Sequence, residues 1–282
     1  MGEELELQLT MTELDRITIE QLEKKGGFEV DLTEQIDRPP ICISKGTKTY
    51  RSRSGKNITY DIPLATYGNF SFVQAPPKSF KTFFTSLLSS AYAGVDEDFV
   101  GDIKSFRGNR ELIHFDTEQG KWHCKRVFMR VIDMMETDVI PEFYHTYSLR
   151  ELNYIYRRHY IEYVLEKLTE KGRDIGFVVI DGIADLVADV NDLKHSNLIV
   201  QWLMEITTRF NCHIMTIIHS NYGSDKPTGH LGSLLEKKAE TQFLLKRNKD
   251  TGCIDVSCRR TRNIPFEPFT FALTDNNLPI IK

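Results

Sequence analysis

The chain has 282 residues, of which 40% are hydrophobic and 27% charged, as expected of a globular protein with a proper core. Its net charge of −4 excludes a protein that binds polyanions over its whole surface, so any nucleic-acid surface must be a local patch. No apolar run approaches ~18 residues and no signal peptide opens the sequence, which predicts a soluble cytoplasmic protein. The five cysteines are odd in number and include no CxxC pair, so we expect reduced thiols that are buried or half-buried.

Residues 1–40 form a charged leader without a dense core pattern, followed by one domain over residues 41–282. Thr18–Gln21 resembles a capping box, and Gly26-Gly27 would end the short helix that it begins. Such a partly helical leader is either a loose tail or an arm that docks on a neighbouring subunit.

The remaining elements alternate between buried strands and helices. Strands are predicted over residues 41–74, 111–116, 175–181 and 213–218, and again after residue 240. The first of these regions contains a basic turn at Lys45–Lys56, and the last contains turns at Asp250–Gly252 and Asp275–Asn277. Helices are predicted over residues 83–93, 149–171 and 197–210. This alternation favours an α/β fold with a mostly parallel sheet that ends in antiparallel strands.

The segment Phe70–Thr82 has the layout strand, tight turn, Lys-Thr, helix, which is that of a phosphate-binding P-loop. In such a loop, backbone N–H groups and Lys81 bind phosphate oxygens and the Thr82 hydroxyl binds Mg²⁺. The candidate nucleotide-binding residues are Ala75, Pro76, Pro77, Lys78, Ser79, Phe80, Lys81 and Thr82. The motif has glycine where this chain has Ala75 and Phe80, so an ordinary strand–turn–helix is the alternative.

Three apolar strands end in polar residues, at Asp116-Thr117-Glu118, at Asp181 and at His219-Ser220. Ligands of open α/β sheets bind outside the carboxyl ends of the strands, where the P-loop also lies, so we expect these groups to converge. Asp181 is then a Walker B carboxylate that holds Mg²⁺ through water alongside Thr82. A helix cap or a turn is the alternative role for a strand-end aspartate.

With these motifs in this order, residues 68–274 resemble the core of RecA-type ATPases, particularly the branch of replicative hexameric helicases and plasmid RepA-like proteins. The glycine-containing loop Lys226–Gly232 also matches that branch. RepA-like ATPases carried on mobile elements of Bacteroidetes have lysine-rich P-loops that lack the glycine before the lysine, so the resemblance makes Lys78 an extra phosphate contact. It implies a RecA-like P-loop NTPase fold: a mostly parallel twisted sheet with helices on both faces and C-terminal antiparallel strands.

The resemblance also implies catalytic roles. Glu118 matches the glutamate that activates the attacking water, and His219 matches the polar residue that senses the γ-phosphate. Arg262, with Arg260 second, matches the arginine finger that reaches the ATP of the next subunit. A strand-end position for Glu118 and His219, and an exposed basic strand for the arginines, are the alternatives.

Two loops match the DNA-binding loops of the family, residues 188–196 and residues 220–233. The candidate contacts to the phosphate backbone of DNA are Lys226, His230, Lys194 and His195. Asp189 and Asp192 weaken the first loop as an anion site, and solvated loops without a ligand are the alternative.

The sequence therefore predicts a Mg²⁺-dependent, ATP-hydrolysing helicase of the RepA-like type that forms a ring-shaped homo-oligomer, a hexamer, and translocates on single-stranded DNA. Its role would lie in replication or mobilisation of a plasmid, phage or integrated element, with a primase or initiator supplied in trans and no membrane partner. The alternative is a non-motor regulator or scaffold with a degenerate, nucleotide-binding P-loop.

Overall fold

The computed structural model describes residues 13–26, 28–76, 79–221 and 224–282. These described residues divide into two compact units, with the boundary between Arg38 and Pro39. The first unit contains helix α1 (Glu13–Gly26). This helix ends at Gly26, as predicted, but Thr18 lies inside it, so the prediction that the helix begins at Thr18–Gln21 is wrong. Because Ser and Thr are tolerated in helix interiors, a capping-box pattern alone does not fix a helix start.

The second unit contains two sheets and the remaining helices. The strands are β1 (Ile41–Arg51), β2 (Asn57–Thr66), β3 (Phe70–Ala75), β4 (Ile103–Ser105), β5 (Glu111–Asp116), β6 (Tyr144–Ser148), β7 (Ile175–Asp181), β8 (His213–His219), β9 (Thr241–Arg247), β10 (Ile254–Thr261), β11 (Phe269–Leu273) and β12 (Pro279–Ile281). The helices are α2 (Lys81–Ala93), α3 (Glu97–Val100), α4 (Lys121–Met134), α5 (Tyr154–Glu170), α6 (Leu193–Arg209) and α7 (Gly229–Lys238), with a 3-10 turn at Ile183–Leu186.

The main sheet has nine strands in the order β12-β11-β10-β9-β3-β8-β7-β5-β6. The run from β9 to β6 is parallel throughout, and β10, β11 and β12 continue it in antiparallel fashion. The predicted α/β class, with a mostly parallel sheet completed by C-terminal antiparallel strands, is confirmed. The P-loop strand β3 lies between β8 and β9, which places the segment after β3 near the middle of the sheet.

Both faces of the main sheet are covered by helices, which explains why its central strands are continuous apolar runs. On one face, Val73 and Phe177 pack in a core cluster with Phe84 of α2 and residues of α4. On the other face, Phe72 packs in a second cluster with Ile161 of α5 and with residues of α6 and α7. Since side chains alternate along a strand, one buried strand contributes to both clusters.

A smaller sheet, β2-β1-β4, packs on the α2 side of the domain, where Cys42 and Leu64 join the same cluster as Leu87 of α2. The predicted basic turn at Lys45–Lys56 is wrong in extent, because β1 continues to Arg51 and pairs with β2 as far as Asn57. Both faces of this outer hairpin are largely exposed, so its basic residues stay solvated while the backbone remains paired.

Three predicted helices of the second unit differ from the structure at their starts. Helix α2 begins at Lys81, directly after Phe80, and not at residue 83, whereas polar caps set the starts of α5 and α6. Asn153 caps α5 by accepting from the backbone N–H groups of Ile155 and Tyr156, so residues 149–153 are not helical. Asp192 caps α6 by accepting from the backbone N–H of His195, so this helix begins before residue 197. Such side-chain acceptors satisfy N–H groups that have no partner within the helix.

The two predicted turns after residue 240 join β9 to β10 and β11 to β12 and are confirmed. All five cysteines are free and buried or half-buried, as expected. Within the described residues, no helix combines the length and the apolarity needed to cross a bilayer.

Candidate functional site

An open cavity of about 900 Å³ lies at the carboxyl edge of the parallel strands. Its lining includes Ser79, Phe80, Lys81 and Thr82 after β3, Glu118 after β5, Asp181 at the end of β7, His219 at the end of β8, and two arginines, Arg130 and Arg247. The structure therefore brings together the P-loop segment and the strand-end residues that the sequence singled out. This convergence follows from the parallel arrangement of the strands, because their carboxyl ends share one edge.

Phe80 occupies the glycine position of the P-loop and adopts the left-handed conformation that glycine usually provides, with φ 61° and ψ 24°. Its carbonyl oxygen accepts from the backbone N–H groups of Phe83 and Phe84, both at 3.0 Å, and so begins α2. The first N–H groups of a helix have no intrahelical acceptor, and Phe80 provides no side-chain cap. The helix start is thus shaped to receive an anion. Pro77 and Lys78 lie outside the described residues.

Lys81 is buried, and its ammonium group lies 3.0 Å from the carbonyl oxygen of Pro76 and 2.9 Å from Nδ1 of His219. Burial lowers the pKa of Lys81, while Asp181 and Glu118 oppose that shift. Burial and the neighbouring Lys81 charge lower the pKa of His219. A neutral imidazole accepts at Nδ1 from the ammonium, so the predicted γ-phosphate sensor lies directly on the P-loop lysine.

Thr82 and Asp181 form the side of the cavity suited to a cation. The Thr82 hydroxyl donates to Oδ2 of Asp181 over 3.1 Å. Burial, followed by the charge of Asp116, raises the pKa of Asp181 to about 7. The described residues hold no group of three or more His, Cys, Asp or Glu side chains that could hold a metal. Mg²⁺ fits nevertheless, because it is commonly held by one or two protein oxygens, waters and substrate phosphates.

The turn after β5 places Glu118 at the cavity. Buried Asp116 accepts from the backbone N–H groups of Glu118 (3.0 Å) and Gln119 (2.7 Å) and from the Gln119 side chain (2.8 Å). The Thr117 hydroxyl donates to Asp185 over 2.8 Å and receives the backbone N–H of Gly182 over 2.8 Å. Asp116 and Thr117 thus fix the turn against the end of β7, whereas the Glu118 side chain stays exposed in the cavity.

The predicted second DNA loop is shorter than expected. Among the described residues of this loop, Thr228 donates both its backbone N–H (3.0 Å) and its hydroxyl (2.8 Å) to the carbonyl oxygen of His219, which closes the loop onto the end of β8. Lys226 is exposed in this loop. His230 is not in the loop, because α7 already begins at Gly229. The described part of the loop therefore offers Lys226, and His230 is exposed on the first turn of the helix.

The predicted first DNA loop is also shorter. Lys194 and His195 lie in the first turn of α6, because Asp192 caps that helix, so their prediction as loop residues is wrong. The two predicted loops touch each other, since the backbone N–H of Leu231 donates to the carbonyl oxygen of Val190 over 3.0 Å. Both follow strands of the parallel sheet at their carboxyl ends and therefore lie at the same edge as the P-loop.

Arg260 and Arg262 lie away from this cavity. Arg260 pairs with Gln242 at the start of β9, which is the amino edge of the parallel sheet. Arg262 donates its backbone N–H to the carbonyl oxygen of Glu240 over 2.9 Å and its guanidinium to that of Lys238 over 2.7 Å. The structure therefore does not bring either arginine to the P-loop of its own chain, which lies at the opposite edge.

Arg130 and Arg247 line the cavity although the sequence did not single them out. Arg130 lies on α4, and its guanidinium donates to the Ser86 hydroxyl over 3.0 Å. Arg247 is the last residue of β9, the parallel neighbour of β3. The position of Arg247 at the end of an apolar strand is the same signal that marked Asp181 and His219. For Arg130, no sequence signal stands out, since it is one of several basic residues on α4.

A family model described as AAA domain matches residues 62–225, more than half of the chain. The chain belongs to the AAA domain family. This membership places it among the P-loop ATPases, in agreement with the fold and with the Lys81–Thr82 helix start. The matched segment contains Lys81, Glu118, Asp181 and His219 and ends before the loop lysine and the two strand arginines. No curated protein matches the sequence.

Proposed function

We propose that this AAA domain protein is a Mg²⁺-dependent ATPase that works as a RepA-like motor on single-stranded DNA. The observation that carries the ATPase part is the convergence of Lys81, Thr82, Asp181 and Glu118 on one cavity at the carboxyl edge of the sheet. These are a phosphate-binding cation, a hydroxyl and a carboxylate suited to Mg²⁺, and a carboxylate free to accept a proton.

In this proposal, the triphosphate lies at the start of α2, where unpaired N–H groups and the helix dipole favour negative charge. Thr82 and Asp181 would hold Mg²⁺, which would neutralise charge that develops on the phosphates. Lys81 moves from His219 and the Pro76 carbonyl oxygen to the β/γ-phosphates. Glu118, exposed in the cavity, accepts a proton from the attacking water.

A short chain of contacts connects the P-loop lysine to the loop that carries Lys226. His219 contacts Lys81 through its ring and receives two hydrogen bonds from Thr228 at its carbonyl oxygen. When Lys81 binds a γ-phosphate, the His219 imidazole loses its hydrogen-bond partner. The loop that is hydrogen-bonded to the carbonyl oxygen of His219 can then change position. This linkage supports coupling of nucleotide state to the loop that carries Lys226.

The position of the strand arginines supports assembly. Arg260 and Arg262 lie at the edge opposite their own P-loop, so they can contact ATP only in a neighbouring subunit. A ring-shaped homo-oligomer, as in hexameric helicases, provides that arrangement. In such an assembly, the touching loops near Val190 and Lys226 would line a channel for DNA. A primase or initiator would act in trans during replication or mobilisation of a mobile element.

The proposal is tested by measuring phosphate release with and without single-stranded DNA. We expect Mg²⁺-dependent turnover that DNA stimulates and that Lys81→Ala abolishes. Lys249→Ala, which removes an exposed lysine in the turn between β9 and β10, is the matched control and should behave as wild type. Turnover that is unaffected by Lys81→Ala would contradict the ATPase assignment.

The second candidate function is a non-motor regulator or scaffold whose P-loop binds nucleotide without productive hydrolysis. It is favoured by one observation, the bulky Phe80 beside the phosphate site. Tight ATP binding without turnover, with or without DNA, would support this candidate and exclude the motor.

A further inference from the structure

Two arginines and two phenylalanines form a continuous row on the wall of the nucleotide cavity. The Arg130 guanidinium lies 3.7 Å from the ring centroid of Phe83, the Phe83 and Phe80 rings are 5.6 Å apart, and the Arg247 guanidinium lies 5.3 Å from the Phe80 ring. All four side chains line the cavity. We call this set the Arg–Phe row. It exists only because Phe80 stands where the P-loop consensus has glycine.

The backbone of Phe80 shows that the ring is held in place against a steric preference. A bulky residue in the left-handed region costs about 1–3 kcal/mol, and such residues persist where the surroundings determine them, often at functional sites. The Phe80 ring is half-buried against Phe83 and the core cluster of α2, which fixes its orientation. A loop needing only the left-handed turn would be served better by glycine, so the ring itself requires an explanation.

Arg247 lies on the side of the P-loop opposite the reacting groups. In the order of the sheet, β9 flanks β3 on one side, whereas β8, β7 and β5 carry His219, Asp181 and Glu118 on the other. If the γ-phosphate faces these three residues, the rest of the nucleotide extends toward β9 and Arg247. An arginine that rests on an aromatic face keeps the edge of its guanidinium free for phosphate oxygens.

The two arginines of the row differ in how their donors are used. The Arg130 guanidinium donates to the Ser86 hydroxyl and to the Thr82 carbonyl oxygen. Within the residues that the structure describes, the Arg247 side chain makes no hydrogen bond or ion pair, and its one partner is the Phe80 ring. Arg130 is therefore the fixed end of the row, and Arg247 is the end available to a ligand.

We propose that Phe80 positions Arg247 to bind the α- and β-phosphates of a nucleoside diphosphate or triphosphate. This inference rests on the proposed nucleotide site and adds two residues to it: Arg247 as a phosphate ligand and Phe80 as the residue that orients it. The backbone of Phe80 thus provides the turn that glycine provides in the consensus. Its ring has a further role, because it supports the Arg247 guanidinium as a second cation beside Lys81.

The test is calorimetric titration with Mg²⁺ and ADP, which measures affinity without hydrolysis. Arg247→Gln should weaken ADP binding about 10–100-fold, as for a lost charge-assisted hydrogen bond. Phe80→Leu keeps an apolar side chain but removes the aromatic face, and should weaken binding about 5–10-fold. The double variant should bind no more weakly than Arg247→Gln alone, because Phe80 acts through Arg247. Arg107→Gln, which removes a guanidinium stacked 3.9 Å from the Phe143 ring outside this cavity, is the control and should bind as wild type.

Phe80→Gly restores the consensus glycine and sharpens the test. It relieves the left-handed strain but removes the ring that packs against Phe83 and supports Arg247, so it should bind ADP more weakly than wild type. ADP binding by Phe80→Gly as tight as or tighter than wild type, or unchanged binding in both Arg247→Gln and Phe80→Leu, would overturn the inference alone. If wild-type protein binds neither ADP nor ATP, the proposed nucleotide site itself fails.

Discussion

Replacing Asp181 by Asn should stabilise the ligand-free protein, by an amount that depends on pH. The pKa of this buried carboxyl is raised from 3.8 to about 7 by burial and by Asp116, so the folded state keeps its proton where the unfolded chain loses it. Because the folded state then binds more protons, the free energy of unfolding falls as pH rises from about 4 to about 7. Asparagine resembles the protonated carboxyl and lacks this loss.

The magnitude follows from the size of the pKa change. Each pKa unit corresponds to about 1.4 kcal/mol, so the full shift corresponds to at most ~4 kcal/mol above pH 7. Between pH 5 and pH 7 the folded state keeps the Asp181 proton that the unfolded chain has lost. Over these two pH units, the free energy of unfolding of the wild type falls by roughly 3 kcal/mol. We therefore expect the stability difference between Asp181→Asn and wild type to grow by about 2–3 kcal/mol from pH 5 to pH 8.

The assay is urea unfolding at both pH values, in EDTA and without nucleotide, with m-values compared to confirm the same transition. Asp189→Asn removes an exposed carboxylate in the loop after β7 and controls for the loss of one negative charge. The same stability difference between Asp181→Asn and wild type at pH 5 and pH 8, or a variant less stable than wild type at pH 8, would show that the folded state does not hold the Asp181 proton in this range.

Three further predictions concern the proposed motor. Glu118→Gln should bind ATP but lose phosphate release by about 10²–10⁴-fold, as expected on removing a general base, and unchanged turnover would make Glu118 a strand-end residue only. Arg262→Ala should lower kcat with little change in ATP affinity. Mixing it with Lys81→Ala should restore activity, because some interfaces then combine an intact P-loop with an intact Arg262. If no mixing ratio restores activity, Arg262 does not act on the ATP of a neighbouring subunit. Lys226→Glu should weaken single-stranded DNA binding and reduce the salt slope of the affinity by about 1, whereas a wild-type slope would place Lys226 outside the DNA contact.

The parts of the site that the sequence predicted share one physical origin. Lys81, Asp181 and His219 each follow an apolar run, and parallel strands deliver such residues to a common edge whatever the loops between them do. The parts that were missed depend on contacts between distant elements. Arg130 reaches the cavity from α4, and no local pattern shows that its guanidinium lies over Phe83.

Local backbone conformation is the other feature that sequence patterns do not predict. The P-loop consensus has glycine at the position of Phe80, because a side chain is disfavoured in the left-handed region. In the structure, packing against its neighbours holds Phe80 in that region. The starts of α5 and α6 were mispredicted although their signals, Asn153 and Asp192, stand in the sequence as cap residues. Cap residues therefore predict both starts. Apolar spacing alone places the start of α5 too early and the start of α6 too late.

The charges at the carboxyl edge explain why the cation and the nucleotide should bind together. Asp116, Asp181 and Glu118 stand close enough that each of the other two raises the pKa of Asp181, and burial lowers the pKa of Lys81. A nucleotide alone would add negative charge beside these carboxylates, and a cation alone would find few protein ligands among the residues that the structure describes. Bound together, the cation would offset the carboxylates while the phosphates would occupy Lys81 and the N–H groups of α2. Each ligand would supply the charge that the other lacks, so the proposed site predicts that their binding is thermodynamically coupled.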